Sequence, residues 1–377
     1  MENANVVIIG GGVVGCAIAR ALSFRWEDVF LLEAMPKLAM GASSRNSGVI
    51  HSGLYYRPGS LKAKHCVRGN QLTYEFCAAH NVPHRKTGKL VVASSHPEEK
   101  DLYALIENGR ANGLEDLTIL ERDAIRAREP HVEGFKAIGV PSTGIVASEE
   151  LVKTYARVAT DRGAHIVTNA RAEHLDPVGE CIRVTSAAGE IETRCLVNSA
   201  GLFADEVAAL LGSRMARHRI YPVRGEYCEL IREKQDLVRG LVYPLPHADG
   251  LSLGVHLTKT LWGSVLVGPT ARYVTDKNDY EKDRETVQYF ANLARKLLPS
   301  VTPSDFVPAY SGIRAKLVPP PGSSGAEPGV MGMADFIIQS DPDFPRAIHL
   351  IGIESPGLTS APSIGEHVTR LVSEVLA

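Results

Sequence analysis

No run of apolar residues in this sequence approaches the ~20 that a membrane-spanning helix needs. The first apolar run, residues 6–9, is also too short to be the core of a secretory signal peptide. Because the chain begins almost directly on this run, we expect a cytoplasmic protein, or a mitochondrial one if a transit peptide has been removed.

The sequence also lacks an excess of charge of either sign, with 41 basic and 43 acidic residues. We therefore expect no nucleic-acid partner. The six cysteines form neither a CxxC pair nor a regular spacing, so they indicate reduced core thiols rather than a disulfide framework or a metal site. The phosphate-binding P-loop string is absent as well. We therefore expect a protein that acts on a small molecule by other chemistry.

A glycine motif lies at the start of the chain. Gly10, Gly12 and Gly15 form GxGxxG directly after the β-branched run of residues 6–9, which is typical of a strand buried on both faces. Residues 13–22 then favour a helix, and residues 29–32 favour a second strand. Such a βαβ unit brings backbone amides and a helix N-terminus to a pyrophosphate.

An acidic residue strengthens this interpretation. Glu33 ends the second strand, 18 residues after Gly15, where a carboxylate accepts the ribose hydroxyls of an adenosine. Strand, helix, spacing and acid together predict a dinucleotide site. FAD and NAD both use this unit, so the motif by itself does not separate them.

The rest of the chain alternates between helical and strand patterns. We predict a helix over residues 60–80, a strand over 88–93, a hairpin over 181–194 and a second strand-turn-helix over 195–211. Residues 280–298 read as one long amphipathic helix, and a strand over 348–353 precedes a loop over 354–359 and a closing helix to residue 376. Between residues 221 and 317 a period of two predicts a half-buried antiparallel sheet, with Leu251, Leu253, Val255 and Leu257 on one face and Ser252, Gly254, His256 and Thr258 on the other.

Three further segments resemble the D-amino-acid-oxidase-like superfamily of flavoproteins. They are residues 41–48 (GASSRNSG), 198–205 (NSAGLFAD) and 352–360 (GIESPGLTS). The resemblance implies FAD as the cofactor, held by the first βαβ unit. The last segment is similar to the terminal loop whose backbone amides approach the N1 and O2 edge of the flavin.

Longer collinear segments narrow the resemblance to the L-2-hydroxyglutarate dehydrogenases, with the glycerol-3-phosphate oxidases as near relatives. These segments are residues 46–56, 58–64, 254–258, 268–270 and 311–314. The implied reaction is oxidation of a small acidic 2-hydroxy acid by hydride transfer to flavin N5. Many of those dehydrogenases carry histidine where this chain has Arg45, so the substrate is less firmly implied than the cofactor.

The patterns and the resemblance together predict an α/β (α+β) fold. A Rossmann-like FAD-binding domain comprises residues 1–80, 145–215 and 345–377. It is interleaved with a substrate-binding domain of mixed, mainly antiparallel sheet, comprising residues 81–144 and 216–344.

The motif positions that match the superfamily assign a set of residues to FAD. They are Gly10, Gly12, Val13, Val14, Gly15, Glu33, Ala34, Ser43, Ser44, Asn46, Ser47, Gly48, Ala172, Ala200, Gly201, Gly357, Leu358 and Thr359.

Oxidising a secondary alcohol needs a base for the hydroxyl proton, and neutral imidazole suits a base near pH 7. Two histidines compete for this role. His51 lies on the loop expected beside the flavin, and resemblance to the glycerol-3-phosphate oxidases makes it the better candidate. His256, on the polar face of its strand, is the alternative as base or as carboxylate anchor.

A substrate carboxylate needs a fixed cation, and arginine offers a planar two-toothed fork. Strand alternation places Tyr310, Gly312, Arg314 and Lys316 on one face, so Arg314 is the predicted anchor; otherwise it is a salt-bridged arginine of the sheet surface. Arg45 and Lys259 are weaker candidates for a second carboxylate, and Arg45 serves the FAD phosphates in the alternative. Tyr55 either orients the substrate through its hydroxyl or packs in the core.

Three other functions remain open from the sequence: a glycerol-3-phosphate or amino-acid oxidase or dehydrogenase of the same fold, a nicotinamide-dependent dehydrogenase, and a flavin-binding protein without turnover. The expected partners are a small anionic substrate and an electron acceptor, which is a quinone, an electron-transfer flavoprotein or oxygen.

Overall fold

The computed structural model describes residues 2–246, 254–322 and 334–377. In these ranges the α-helices are α1 (Val13–Leu22), α2 (Leu61–His80), α3 (Glu99–Ala111), α4 (Arg122–Arg128), α5 (Ser148–Thr160), α6 (Ala204–Leu210), α7 (Val287–Ala294) and α8 (Gly357–Leu376). None of the helices in these ranges is long and apolar enough to cross a membrane.

The β-strands of the same ranges are numbered in chain order. They are β1 (Glu2–Ile9), β2 (Val29–Leu32), β3 (Val49–Ile50), β4 (His84–Arg85), β5 (Lys89–Ala93), β6 (Thr118–Glu121), β7 (Lys136–Val140), β8 (Gly144–Val146), β9 (His165–Val167), β10 (Ala172–Val178), β11 (Cys181–Ser186), β12 (Gly189–Asn198), β13 (Tyr221–Leu230), β14 (Leu241–Pro244), β15 (His256–Lys259), β16 (Val265–Gly268), β17 (Arg272–Tyr273), β18 (Phe306–Lys316), β19 (Ile337–Ser340) and β20 (Ala347–Ile351).

The first large sheet contains the predicted βαβ unit. Its strand order is β10-β11-β12-β1-β2-β9, and β20 pairs with both β12 and β19. Strand β1 is parallel to β2 and to β12, and its side chains are buried alternately on both faces. Val6 and Ile8 pack with α1, α5 and α8, whereas Val7 and Ile9 pack with α6. This burial on both faces explains the uninterrupted apolar run of β1. The predicted bounds of α1 and β2 are confirmed as well.

The second large sheet is mixed and mainly antiparallel. Its order is β17-β13-β16-β15-β14-β5-β7-β6, and β18 pairs with β13. The β14–β5 pair is parallel and the other pairs are antiparallel. A three-stranded sheet, β3-β8-β4, completes the described sheets. The α/β fold class is confirmed. We propose the domain boundaries given above as the division of the chain.

Several shorter predictions are confirmed. Ser60 caps α2, because its side chain accepts a hydrogen bond from the Ala63 amide. Strand β5 occupies most of the predicted 88–93 run, and β11 and β12 form the predicted hairpin. The closing helix α8 begins at Gly357, earlier than predicted, so residues that we assigned to a loop are the first turn of a 20-residue helix.

The predicted helix over residues 280–298 is wrong in length. Helix α7 covers eight residues, and Thr286 caps it by accepting from the Tyr289 amide. The residues before it are held by tertiary contacts instead. The Glu285 amide donates to the buried Glu226 carboxylate at 2.7 Å, and the Asp279 carboxylate accepts from Arg224 at 2.8 Å. These bonds compete with the local helix and outweigh its periodicity.

The prediction of a sheet with one buried and one exposed face is wrong for the strand β15. Leu251, Ser252 and Leu253 lie outside the described residues, and the strand that is described, β15, has His256, Leu257 and Thr258 all buried. Leu257 belongs to the apolar core that includes Phe290, while Tyr243 covers His256 on the other face. The polar side chains of β15 therefore face the interior rather than solvent.

Candidate active site

A cavity of about 620 Å³ lies between the two large sheets. This volume is within the range of small-molecule and cofactor sites. The first sheet contributes the ends of β1 and β2, and the second sheet contributes parts of β13, β15 and β18. The loop after β2, residues 199–203 after β12 and the first turn of α8 also contribute to the lining.

The glycine motif forms one wall of the cavity. Gly10 has φ +111°, a conformation that L side chains rarely adopt, and a Cβ there would overlap the Ser199 carbonyl oxygen. A Cβ at Gly15 would overlap the Gly10 carbonyl, so this glycine closes the turn rather than lining the cavity. Gly10, Gly12, Val13 and Val14 line the cavity at the N-terminus of α1. This cradle fits a pyrophosphate, as predicted for a dinucleotide.

The carboxylate of Glu33 stands at the cavity beside this turn. One of its oxygens accepts from the Gly11 amide at 2.6 Å and the other from the Met35 amide at 2.7 Å. Each oxygen has a second lone pair, so both bonds are compatible with ribose hydroxyls. Ala34 and Ala172 line the cavity nearby, and Ala200 and Gly201 line it at the second strand-turn-helix.

The loop after β2 follows the cavity towards the second sheet. Ser43, Asn46 and Ser47 line it, and the Ser43 hydroxyl accepts from the Val13 amide at 2.9 Å. The Asn46 carbonyl accepts from the Tyr310 hydroxyl at 2.7 Å, which ties the loop to β18. Gly357 and Leu358 line the cavity at the start of α8. A helix N-terminus there favours negative charge on a bound group.

Three of the predicted cofactor residues support the cavity without lining it. The Ser44 hydroxyl donates to the Gly41 carbonyl. Gly48 has φ +66°, and its amide donates to the Asn46 side chain at 2.8 Å. The Thr359 hydroxyl accepts from the His51 amide at 2.9 Å. Together with Gly15 they hold the backbone of the site in place.

His51 lines the cavity at its far end from Glu33. Its Nε2 lies 3.5 Å from the Ser355 hydroxyl, another lining group, whereas its Nδ1 is buried without a hydrogen-bond partner among the described residues. Burial, with a smaller effect from the charge of Lys89, lowers the pKa of His51 to about 3. The imidazole is therefore neutral near pH 7 and has a free lone pair.

His256 lines the same end of the cavity. Its Nδ1 lies 2.8 Å from the Gly254 carbonyl, and its ring stacks on Tyr243 with centroids 3.8 Å apart. A carbonyl only accepts, so Nδ1 carries the proton and Nε2 keeps the lone pair. Burial lowers the pKa of His256 well below its usual value. Two neutral imidazoles thus face one cavity.

Arginines accompany the histidines. Arg314 lines the cavity from β18 and donates to the Thr270 carbonyl at 3.1 Å. A Cβ at Gly225 would lie 2.8 Å from its Nη1, so this glycine leaves room for the guanidinium. Arg45 also lines the cavity, and its guanidinium lies 4.4 Å from the centre of the Tyr280 ring. This end of the cavity is suited to an anion.

Comparisons with known proteins agree with this geometry. The family model described as FAD-dependent oxidoreductase, DAO, matches residues 5–371. The chain belongs to the DAO family. It is 35% identical to the L-2-hydroxyglutarate dehydrogenase of Escherichia coli K12 over 98% of this chain and 93% of that protein. It is 41% identical to the mitochondrial L-2-hydroxyglutarate dehydrogenase of Caenorhabditis elegans over 83% of this chain and 70% of that protein.

A solved structure of the DAO family shows the same architecture. The L-α-glycerophosphate oxidase of Mycoplasma pneumoniae, with FAD bound, superposes with a TM-score of 0.87 at 27% identity, covering 99% of this chain and 95% of that one. FAD is therefore the cofactor of this chain, and the nicotinamide alternative is ruled out as the assignment of the glycine motif.

Two residues that the sequence placed in the site do not reach the cavity of this DAO-family enzyme. The Lys259 ammonium donates to the Gln235 carbonyl at 2.7 Å and lies 3.9 Å from the Asp236 carboxylate. Tyr55 is buried behind the cavity wall, and its hydroxyl has no hydrogen-bond partner in the described part of the chain. Neither side chain lines the cavity.

The same cavity contains a buried ionic group that was not predicted from the sequence. Lys62 and Lys316 approach the Glu354 carboxylate at 2.9 Å and 3.4 Å, and each of these side chains is less than a tenth exposed. Burial alone would raise the pKa of Glu354, but the two ammonium groups outweigh it and the pKa is lowered. Lys62 and Glu354 fall inside motifs quoted for the resemblance, which was the available signal. Nothing local indicated that the two would meet.

Proposed function

We propose that this chain is an FAD-dependent dehydrogenase that oxidises L-2-hydroxyglutarate to 2-oxoglutarate. The observation that carries the proposal is the composition of one cavity. Glycines and a carboxylate suited to a dinucleotide stand at one end, and two neutral imidazoles and two arginines stand at the other. Relatives at 35% and 41% identity with this name support the choice of substrate.

His51 is the proposed base. In the reaction the substrate hydroxyl proton moves to an imidazole nitrogen, and the Nε2 of His51 lies beside the cavity-lining Ser355. FAD, when bound, supplies the acceptor for the hydride from the same carbon. His256 presents a second Nε2 lone pair, and we propose that it accepts a hydrogen bond from the substrate hydroxyl. This tautomer does not suit the alternative role of carboxylate anchor, because an ionised carboxylate has no proton to donate.

Arg314 is the proposed anchor of the carboxylate next to the reacting carbon. Among the described residues it donates one N–H, to the Thr270 carbonyl, so within that part of the chain its other donors are available to the substrate. The distal carboxylate of a five-carbon diacid needs a second cation, and we propose Arg45 for it. Arg45 replaces a histidine of many related dehydrogenases, and either side chain supplies a cation or a donor there.

The test is anaerobic bleaching of the flavin absorbance. The purified yellow protein receives L-2-hydroxyglutarate, its D-enantiomer or glycerol 3-phosphate in separate cuvettes. We expect only the L-enantiomer to reduce the flavin, because one hydroxyl orientation points the proton at His51 and the hydrogen on carbon at the cofactor. A yellow protein that no 2-hydroxy acid bleaches would contradict the proposal.

A second candidate is oxidation of glycerol 3-phosphate. It is favoured by the structural similarity to the glycerophosphate oxidase of M. pneumoniae and by Arg314, which binds phosphate as well as carboxylate. Bleaching by glycerol 3-phosphate in the same experiment would favour it. In air, we expect the dehydrogenase to form little hydrogen peroxide and to pass electrons to a quinone or an electron-transfer flavoprotein; rapid peroxide formation would indicate an oxidase.

A further inference from the structure

Lys89 is a buried lysine just behind the reactive end of the cavity. It begins β5 and is 1% exposed. Within the described residues its ammonium has neither a hydrogen-bond acceptor nor a carboxylate partner. It lies 4.3 Å from the centre of the Tyr55 ring and 4.7 Å from the centre of the Tyr243 ring. Keeping a buried lysine charged costs free energy when only aromatic faces contact its ammonium. We therefore expect a functional role for this side chain, which its neighbours indicate.

Two other unpartnered polar atoms lie near this lysine. They are His51 Nδ1 and the Tyr55 hydroxyl, each buried without a partner in the part of the chain that the structure describes. Buried polar groups are normally paired with protein or ordered water. A cluster of this kind next to a cavity is suited to exchange a proton.

The titratable groups around Lys89 come from four parts of the chain. His51 and Tyr55 follow β3, Cys66 lies on α2, Tyr243 on β14 and His256 on β15. The positive charge of Lys89 lowers the pKa of both His51 and His256, although burial is the larger cause in each case. Lys89 and the two imidazoles are therefore electrostatically coupled.

We propose that Lys89 is the second acceptor of the substrate hydroxyl proton, which reaches it through His51. The hydroxyl O–H bond breaks as an N–H bond forms at His51 Nε2. The Nδ1–H bond of the same ring breaks and an N–H bond forms at Lys89 Nζ across a bridging water, because neither nitrogen has a hydrogen-bond partner among the described residues. Neutral Lys89 becomes an ammonium, His51 ends neutral, and the hydride step is unchanged. Lys89 does not line the cavity, so it acts on the substrate only through His51.

The relay resolves a difficulty for His51 as a lone base. An imidazole with a pKa of about 3 holds a proton only weakly near pH 7. Burial lowers the pKa of Lys89 from 10.5 to about 7, so much of it is a neutral amine near pH 7 and accepts a proton more readily than His51 does. The two groups then titrate as a coupled pair.

The inference rests on the proposed function, and its first test is the pH profile of flavin reduction in the FAD-loaded enzyme. Wild type should show a rate that rises through about pH 7 as Lys89 loses its proton. Lys89→Met should remove this rise and lower the rate at pH 8 by about 100-fold. Lys89→Arg should be equally slow, because a guanidinium stays protonated.

Lys136→Met is the matched control. Lys136 lies on β7, paired with β5, and its ammonium contacts the Glu99 and Glu121 carboxylates, so it has the partners that Lys89 lacks. Its loss should leave the pH profile unchanged. A Lys89→Met enzyme with the wild-type rate and profile would overturn the relay. A Lys89→Arg enzyme as fast as wild type would overturn it too, because only the positive charge would then matter.

Two further measurements use the wild-type enzyme and so do not depend on folding of the variants, and the first of them needs no substrate. The Lys89 Nζ of the wild-type holoenzyme, followed by NMR with ¹⁵N-labelled lysine, should titrate near pH 7, and a pKa near the ordinary 10.5 would overturn the relay for any substrate. The rate in H₂O–D₂O mixtures should require more than one transferred proton, and a one-proton dependence would also overturn the relay. If L-2-hydroxyglutarate fails to bleach wild type while Lys89 titrates near 7, the proposed function fails and the relay stands for another alcohol.

Discussion

At the scale of the residue, neighbours decide what an arginine does. Arg224 and Arg314 lie on adjacent paired strands, β13 and β18. Arg224 is fully buried and makes ion pairs with Glu226 and Asp279 at 2.9 Å and 2.8 Å. Arg314 has no salt bridge among the described residues and lines the cavity. The Arg224 guanidinium is therefore occupied by structural ion pairs, whereas the Arg314 guanidinium is available to a ligand.

Arg314→Lys should therefore weaken substrate binding. Lysine keeps the charge but loses the planar fork, so we expect the KM for the 2-hydroxy acid to rise about 10- to 100-fold, the equivalent of one charged hydrogen bond. Steady-state kinetics with a dye acceptor measures the change. Arg295→Lys, which follows α7 and bonds the Val301 carbonyl outside the cavity, is the control and should leave KM unchanged. An unaltered KM in Arg314→Lys would remove this residue from the anchor role.

The two histidines should differ in effect. His51→Asn should lower the rate of flavin reduction about 10²- to 10⁴-fold, because it removes the proposed proton acceptor. His256→Asn should mainly raise KM, since it removes the acceptor that positions the substrate hydroxyl. Stopped-flow reduction over a range of substrate concentrations separates the two effects. If His256→Asn has the larger effect on the limiting rate, the base is His256.

At the scale of the element, α2, α8 and β18 meet at the cavity. Gly69 of α2 lies so close to α8 that a Cβ would overlap the Thr359 carbonyl. The Thr359 hydroxyl in turn accepts from the His51 amide. Lys62 of α2 and Lys316 of β18 converge on Glu354 in the segment between β20 and α8. The packing of these elements thereby fixes the position of His51.

Gly69→Ala should disturb this packing. The added methyl group must push α2 away from α8, and overpacking of this kind costs about 1–3 kcal/mol. We expect a lower Tm and a slower flavin reduction, because His51 moves with Thr359. Differential scanning calorimetry and stopped-flow absorbance measure the two effects. Lys64→Ala, an exposed change on the same helix, should alter neither, and equal behaviour of the two variants would contradict the packing argument.

Glu354 should give the fold an acid dependence. Its folded pKa lies below the ordinary 4.5, so its ionised form stabilises the fold above pH 4.5, and this contribution is lost as the pH falls through the folded pKa. Glu354→Gln leaves buried ammonium groups without their carboxylate and should cost about 3–5 kcal/mol at pH 7. Its Tm should then fall less steeply on acidification than that of wild type. Glu75→Gln, an exposed change on α2, should behave as wild type. If the Tm of Glu354→Gln falls on acidification as steeply as that of wild type, groups other than Glu354 cause the acid dependence.

At the scale of the whole molecule, the cavity is lined by both large sheets, so FAD bound there would contact elements far apart in the chain. Ligand that binds only the folded state adds free energy of unfolding, about 4 kcal/mol at a concentration 1,000-fold above Kd. We expect removal of FAD to lower Tm and re-addition of FAD to restore it, whereas NAD should have no effect. Thermal unfolding of the apoprotein with each dinucleotide measures this. Restoration by NAD would contradict the FAD assignment.

The sequence by itself determined the βαβ unit and its cofactor loop. The bounds of α1 and β2 were predictable because apolar periodicity and glycine sterics act within about 25 residues of chain. Motif positions also indicated His51, His256 and Arg314, all of which line the cavity. Tertiary structure decided the rest. Helix α7 is short because Glu226 and Arg224 hold the residues before it, and Lys89 reaches the Tyr243 ring through the pairing of β5 with β14. Such contacts join residues far apart in sequence, and burial then sets their protonation, which no local pattern encodes.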